Sequence, residues 1–214
     1  MPEMQPIVFL LDDEQAVVVA LARMLQASGF CVRTWTSAPD FLEEHDARTP
    51  GCLVTDVRMP GMSGLELQRA LIERGIDRAI VFITGQGDIP TTVQAMKAGA
   101  VSFLSKPVQR AELVAAVGEA ILKDAAGRAQ HREQEDLTRR LASLTPRERQ
   151  VLDLVASGML NKQIAAELGA AEKTIKVHRG RIMEKMQVRT AVALVGLLSR
   201  TQPRSELQHG SRAP

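Results

Sequence analysis

The chain has 214 residues, 45% of them apolar and 24% charged, which suits one large or two small globular domains and excludes a disordered, collagen-like or disulfide-scaffold chain. Its formal net charge of +2 divides unevenly: residues 1–122 carry ten Lys/Arg against fifteen Asp/Glu, and residues 123–214 carry seventeen against ten. An acidic front and a basic back predict two domains with different partners, the basic one suited to nucleic acid through phosphate neutralisation.

Cys31 and Cys52 show no metal-ligand spacing, which predicts a reduced, cytoplasmic chain. No run of about 18 apolar residues is present, so no membrane partner is expected. The opening MPEMQPIVFLLDDE lacks a basic segment ahead of its apolar run and does not read as a signal peptide.

In chain order, Ile7–Leu11 is a continuous apolar run, as for a strand buried on both faces. Glu14–Ala27 repeats apolar residues at helical spacing and stops at Ser28-Gly29. Phe30–Trp35 reads as a second strand, Ala38–His45 as a short helix before Thr49-Pro50-Gly51, and Cys52–Thr55 as a third strand ending at Asp56. Gly64–Arg74 is helical, and Ala79–Ile83 is a fourth strand followed by Thr84-Gly85. Pro90–Ala98 is helical and ends at Gly99, Val101–Leu104 is a short fifth strand before Lys106-Pro107, and a long helix begins near Gln109. Five strand–helix units predict an α/β fold, a doubly wound parallel sheet with helices on both faces. Right-handed crossovers bring the carboxyl ends of the strands to one edge, where such sheets bind ligands.

Residues 123–143 are polar and charged and read as a helical linker, in which Gly127 is a candidate break at about 1 kcal/mol relative to Ala. Leu137, Leu141 and Leu144 offer the alternative of a short dimerising stripe. From Leu144 onward the chain is helical. Thr145-Pro146-Arg147-Glu148 combines a cap residue, Pro at the first helical position and an acid three residues after the cap, and that helix runs to Ser157-Gly158. Asn161 is the expected cap of a second helix, Lys162–Leu168; a third runs from Glu172 to Met186 and a fourth over Ala191–Ser199. The tail, residues 201–214, reads as frayed.

The strand ends carry the chemistry. Asp12 and Asp13 follow strand one, Asp56 ends strand three, Thr84 ends strand four and Lys106 follows strand five. Each alone is an ordinary cap, turn or loop residue; five such positions at the ends of four strands predict one crevice. Carboxylates about 4 Å apart repel by roughly 1–4 kcal/mol per pair. A divalent cation with hard oxygen ligands, Mg²⁺ by preference, and the Lys106 ammonium would offset that repulsion. A carboxylate so placed can attack phosphorus, and Thr84 can donate a hydrogen bond to the arriving group.

In the back half, Asn161–Met186 reads helix, glycine-centred turn, helix. Its second helix, EKTIKVHRGRIMEKM, turns Ile175, Ile182 and Met186 inward and leaves Lys173, Lys176, Arg179 and Arg181 for other faces. Such a helix fits the major groove of DNA; the plainer alternative is a solvated bundle.

The stretches FLLDDE, LVTDVRMPGMSGLEL, VFITGQGDI and AMKAGAVSFLSKP, within residues 7–122, resemble the receiver domain of two-component response regulators. The resemblance implies a flavodoxin-like sheet ordered 2-1-3-4-5, Asp56 as phospho-acceptor, and Asp12, Asp13 and the Arg58 carbonyl as Mg²⁺ ligands. It gives Thr84 and Lys106 to the phosphoryl group, a cis peptide to Lys106-Pro107, and the role of aromatic switch to Phe103. Phe103 has no hydroxyl and has the alternative of a plain core ring. Residues 144–200 resemble the LuxR-type helix-turn-helix, a small four-helix domain, and the whole resembles the NarL/FixJ type, closest to the FixJ branch. That implies base contacts from Lys176 and Val177, a further groove-facing position at Gly180, and phosphate contacts from Lys162, Lys173, Thr174, Arg179 and Lys185. Ala171 replaces a serine cap common in the family, and His178 reads as a packed, hydrogen-bonded histidine.

The expected organisation is a receiver at 1–122, a linker at 123–143, a DNA-binding domain at 144–200 and a tail at 201–214. The implied function is a transcription regulator phosphorylated on Asp56 by a sensor histidine kinase, dimerising when phosphorylated, binding double-stranded DNA and meeting RNA polymerase, with activation as the usual outcome. One rival is an aspartyl-phosphate phosphatase; such enzymes place an acid two residues after the nucleophile, and Arg58 stands there instead. The other is a phosphate-independent DNA binder with a vestigial receiver, which the complete set of acids, Thr84 and Lys106 argues against.

Overall fold

The computed structural model describes residues 5–85 and 89–199. Residues 86–88 of the VFITGQGDI stretch and the tail at 201–214 lie outside the described residues. The chain divides into two units, residues 1–129 and 130–214.

In the first unit β1 (Ile7–Leu11), β2 (Cys31–Trp35), β3 (Gly51–Asp56), β4 (Ala79–Thr84) and β5 (Ser102–Ser105) form a parallel sheet ordered β2-β1-β3-β4-β5. Between them run α1 (Gln15–Gln26), α2 (Ala38–Glu44), α3 (Gly64–Glu73) and α4 (Ile89–Lys97), and α5 (Arg110–Ala142) follows β5. The apolar runs of β3 and β4 are buried along their whole length because helices cover both faces, whereas edge strand β2 is largely exposed.

Alternation along the strands feeds two cores. Val8, Leu10, Val54, Val81 and Ile83 meet Val18, Leu21 and Leu25 of α1 and Leu113 and Val117 of α5. Phe9, Leu11, Leu53, Ile80 and Phe82 meet Phe41 of α2, Leu67 and Leu71 of α3 and Ala95 of α4. Helix starts follow from local chemistry: Ser63 and Glu66 form a reciprocal capping box at α3.

The helix after β5 does not break at Gly127; α5 is continuous from Arg110 to Ala142. Its residues 123–128, read from sequence as linker, pack on the first unit. Buried Asp124 accepts from the Gly51 N–H at 2.9 Å and pairs with buried Arg78 at 3.4 Å and with Arg128 at 2.7 Å. The Arg128 guanidinium also donates to the carbonyls of Ala47, Arg48 and Thr49. A polar stretch therefore extends a helix because its charges satisfy the amino-end edge of the sheet.

The second unit contains α6 (Pro146–Ala156), α7 (Asn161–Glu167), α8 (Glu172–Lys185) and α9 (Ala191–Ser199). Val151, Leu152, Val155, Ile164, Ile175, Ile182, Met186 and Leu194 form its core. Leu137 and Leu144 are buried in that core and Leu141 packs against it. The stripe that offered a dimerising surface is thus filled from within the unit. Thr145 and Glu148 form a capping box at α6. Asn161 is not a cap: it is the first residue of α7, and the Gln163 side chain accepts from the Leu160 N–H instead, at 2.8 Å. Among the described residues no helix is long and apolar enough to cross a membrane.

Candidate functional site

At the carboxyl edge of the first sheet, β1 delivers Asp12 and Asp13, β3 delivers Asp56, β4 delivers Thr84, and the turn after β5 delivers Lys106. One carboxylate oxygen from each of Asp12, Asp13 and Asp56 lies within 4.8 Å of the others. Asp12 and Asp56 are buried and Asp13 is exposed, so the cluster has a closed floor and an open side.

Lys106 bridges the two buried acids. Its Nζ donates to Asp12 Oδ2 at 2.7 Å and to Asp56 Oδ2 at 2.6 Å, and Glu14 lies 3.7 Å away. The remaining oxygens are also engaged: the Glu14 N–H donates to Asp12 Oδ1 and the Arg58 N–H to Asp56 Oδ1, each at 3.0 Å. Burial pushes the Asp12 carboxyl above its ordinary range, and the Lys106 hydrogen bond opposes that only in part. Burial alone would depress the Lys106 ammonium; its hydrogen bonds to Asp12 and Asp56, with their charges, outweigh this and hold it above its ordinary value. The arrangement is a cation clamped between two buried carboxylates, with the exposed Asp13 on the open side.

The Lys106 N–H donates to the Thr84 carbonyl at 2.7 Å, and Lys106-Pro107 is cis, as expected. Thr84 is buried, and Phe103 is half-buried with its ring centroid 6.2 Å from that of Phe82. Gly64 is a residue whose part the sequence reading missed. A Cβ on it would stand 2.2 Å from the Asp56 carbonyl oxygen, so only glycine lets α3 start this close to the acid. The signal was a glycine immediately after a Ser cap, where a side chain is ordinarily tolerated.

A cavity of about 340 Å³ lies at the opposite, amino-end edge, lined by Gln68, Leu71, Ile76, Arg78 and Lys123 among others. It is remote from the acids and holds none of the residues predicted to act. Beside it buried Arg78 and Asp124 and half-buried His45 form a network that sequence reading did not identify. The His45 Nε2 lies 3.0 Å from Arg78 Nη2, and its ring stacks on Phe41 at 4.7 Å. Residues 33 positions apart give no local pattern by which to find such a pair.

In the second unit, α7 and α8 form a helix-turn-helix around Gly169 (φ 60°). Ile175, Ile182 and Met186 face the core, as expected. Lys162, Lys173, Thr174, Lys176 and Gly180 are exposed, and Val177 is 48% exposed. A Cβ added at Gly180 would meet open space. Two of the predicted contact residues are held inside the unit. Arg179 donates to Asn161 Oδ1 at 2.9 Å, and Lys185 donates to Glu148 Oε2 at 2.6 Å and to the Ser143 carbonyl at 3.0 Å. Ala171 supplies no side-chain cap, so α8 begins without one. His178 is half-buried, but its buried Nδ1 has no hydrogen-bond partner among the described residues, which corrects the expectation of a hydrogen-bonded ring at that atom.

Known proteins share this two-part organisation. Residues 8–118 match the response regulator receiver domain, and residues 142–198 match the bacterial regulatory proteins of the luxR family. The transcriptional regulatory protein FixJ of Azorhizobium caulinodans is 43% identical over 91% of this chain and 92% of its own length. The response regulator protein TodT of Pseudomonas putida is 42% identical over 94% of this chain and 88% of its own. Among solved structures, the response regulator StyR is 47% identical with a TM-score of 0.85, covering 92% of this chain and 99% of that one. Full-length FixJ from B. japonicum is 37% identical with a TM-score of 0.57, covering 92% and 97%.

Proposed function

The chain belongs to the response regulators that join a receiver domain to a LuxR-type DNA-binding domain, and from that premise we propose that Asp56 is its phospho-acceptor and that phosphorylation there controls engagement of DNA by α8. The observation that carries this reading is the Lys106 ammonium held between the carboxylates of Asp12 and Asp56 at the open edge of the sheet.

A sensor histidine kinase supplies the phosphoryl group. An Asp56 carboxylate oxygen forms the new bond to phosphorus as the phosphorus–nitrogen bond of the donor phosphohistidine breaks, its electron pair leaving on the imidazole. Lys106 is placed to exchange one carboxylate partner for a phosphoryl oxygen without crossing the site. The Thr84 hydroxyl donates to a second oxygen. Three clustered carboxylates, hard oxygen donors with one exposed member, fit a divalent cation such as Mg²⁺. Asp12, Asp13 and Asp56, with the Arg58 carbonyl, would hold it, and it would offset charge on the phosphoryl oxygens.

The added charge draws Thr84 toward it, and Phe103 repacks against Phe82. The face made by α4, β5 and α5 then favours a homodimer. Two copies of α8 read half-sites about 10 bp apart in the major groove. Lys176 and Val177 meet bases, while Lys162, Lys173 and Thr174 meet phosphates. Gly180 brings the helix backbone close to the groove without reading a base itself. The domain limits proposed are 1–122 for the receiver and 144–200 for the DNA-binding fold, with the helical segment between them contributing side chains to each unit. Contact with RNA polymerase and activation of transcription complete the reading, supported by the naming of the FixJ relative as a transcriptional regulatory protein. DNA as partner supports a cytoplasmic site of action. Turnover of a phosphate ester is not part of it, since Arg58 rather than an acid stands two residues after Asp56.

Labelling by acetyl phosphate tests the acceptor. The wild-type protein incorporates phosphate and Asp56→Asn does not; full labelling of that variant refutes the assignment.

A further inference from the structure

Glu148 is a buried carboxylate that none of these steps uses. It is 2% exposed at the start of α6, and its Oε2 accepts from the Thr145 N–H at 2.9 Å and from Lys185 Nζ at 2.6 Å. The Lys185 hydrogen bond, with the Thr145 N–H behind it, holds the Glu148 carboxyl down at about 2. Lys185 stands in the last turn of α8 and also donates to the carbonyl of Ser143, in the turn between α5 and α6. One residue on, Met186 is fully buried, and its carbonyl accepts from Arg140 Nη1 at 3.1 Å. Arg140 is itself paired with Asp136. Gln187 follows in a left-handed conformation, φ 54°, which ends the helix.

The two ends of α8 are therefore unlike. Lys173, Thr174, Lys176 and Val177, toward the amino end, are exposed, and among the described residues the two lysines make no ion pair. The carboxyl end is tied to α5 and α6 through two cations, which also complement the partial negative charge of a helix terminus.

We propose that Glu148 and Lys185 are positioning residues for DNA recognition: their ion pair, together with the Arg140 hydrogen bond to Met186, fixes the carboxyl end of α8 and hence the angle at which its exposed face meets the groove. The proposal rests on the reading of α8 as the DNA-recognition helix. It makes Lys185 act on DNA through the helix rather than by touching phosphate. To reach a phosphate the ammonium would have to leave a buried carboxylate unpaired, which is strongly unfavourable.

The test uses the full-length protein and two duplexes of equal length, one selected by the wild-type protein from a random library and one with its sequence scrambled. Affinity is measured across a salt series for wild type, Glu148→Gln, Lys185→Gln and the double variant. Both single variants are expected to weaken binding to the selected duplex by about tenfold while the scrambled duplex changes by less than about twofold. The salt slope stays that of the wild type, and the double variant is no worse than either single one. Lys185→Arg, which keeps the charge and the donors, restores the preference for the selected duplex. A direct phosphate contact gives the opposite pattern. Lys185→Gln then lowers the slope by about one and weakens both duplexes alike. Glu148→Gln, which removes a negative charge and releases the ammonium, then tightens both, and either result overturns the proposal. If Glu148→Gln does not fold, the salt slope of Lys185→Gln, whose side chain is one-third exposed, decides between the two. If the wild type selects no sequence at all, the DNA reading falls and the proposal falls with it.

Discussion

The Lys106 ammonium stands 2.6 Å from Oδ2 of Asp56. The proposed acceptor is thus charge-paired with the residue that, once a phosphoryl group arrives, has a new anion to bind. Lys106→Met removes the cation shared by Asp12 and Asp56 and leaves clustered carboxylates to repel one another. Without divalent cation its receiver is expected to melt lower than wild type, by about 1–3 kcal/mol of stability. Added Mg²⁺ should raise the melting temperature of the variant more than that of the wild type, because binding to the folded state alone stabilises by mass action. Thermal unfolding with and without Mg²⁺ checks both, and equal Mg²⁺ responses would count against a metal at these acids.

The Asp124 carboxylate is predicted to be essential to the receiver although it lies beyond its expected limit. Asp124→Ala leaves Arg78 buried without its carboxylate and the Gly51 N–H without an acceptor. Loss of a buried partner of this kind costs about 3–5 kcal/mol. Denaturant unfolding of the full chain should show that loss in the first unit, and a chain ending at residue 122 should show it as well.

His45 makes the stability of the first unit depend on pH. Burial first, and the Arg78 charge second, lower its pKa from 6.5 to about 4. The folded state keeps the ring neutral while the unfolded state charges below 6.5, so the contribution is complete above 6.5 and is lost as pH falls through that value toward about 4. His45→Gln, which cannot take up the proton, should flatten stability across that window; an unchanged slope would place the titration elsewhere.

Much of this architecture is written locally. The central strands β3 and β4 stand out because parallel strands covered on both faces read as apolar runs, and β1 begins and ends where its pattern places it. The acids, Thr84 and Lys106 were legible because each follows such a run directly. What escaped the sequence depends on distant pairing. The run 123–128 looks like solvated linker until Arg78, Gly51 and the carbonyls of 47–49 are seen to receive it. The resemblance gives Lys185 to phosphate, and no local pattern points to its partner Glu148, 37 residues away. The leucines at 137, 141 and 144 suggest a seam because composition does not say whether a stripe meets another chain or its own core.

The central claim is that phosphorylation of Asp56 changes how readily α8 engages DNA. Its most direct test is the affinity of the full-length protein for a duplex that it selects, measured with Mg²⁺ before and after acetyl phosphate, in wild type and in Asp56→Asn. The account predicts a rise of about tenfold or more in wild type and none in the variant, within the usual range of coupling free energies. A wild-type affinity that does not move, or an equal rise in Asp56→Asn, would contradict it.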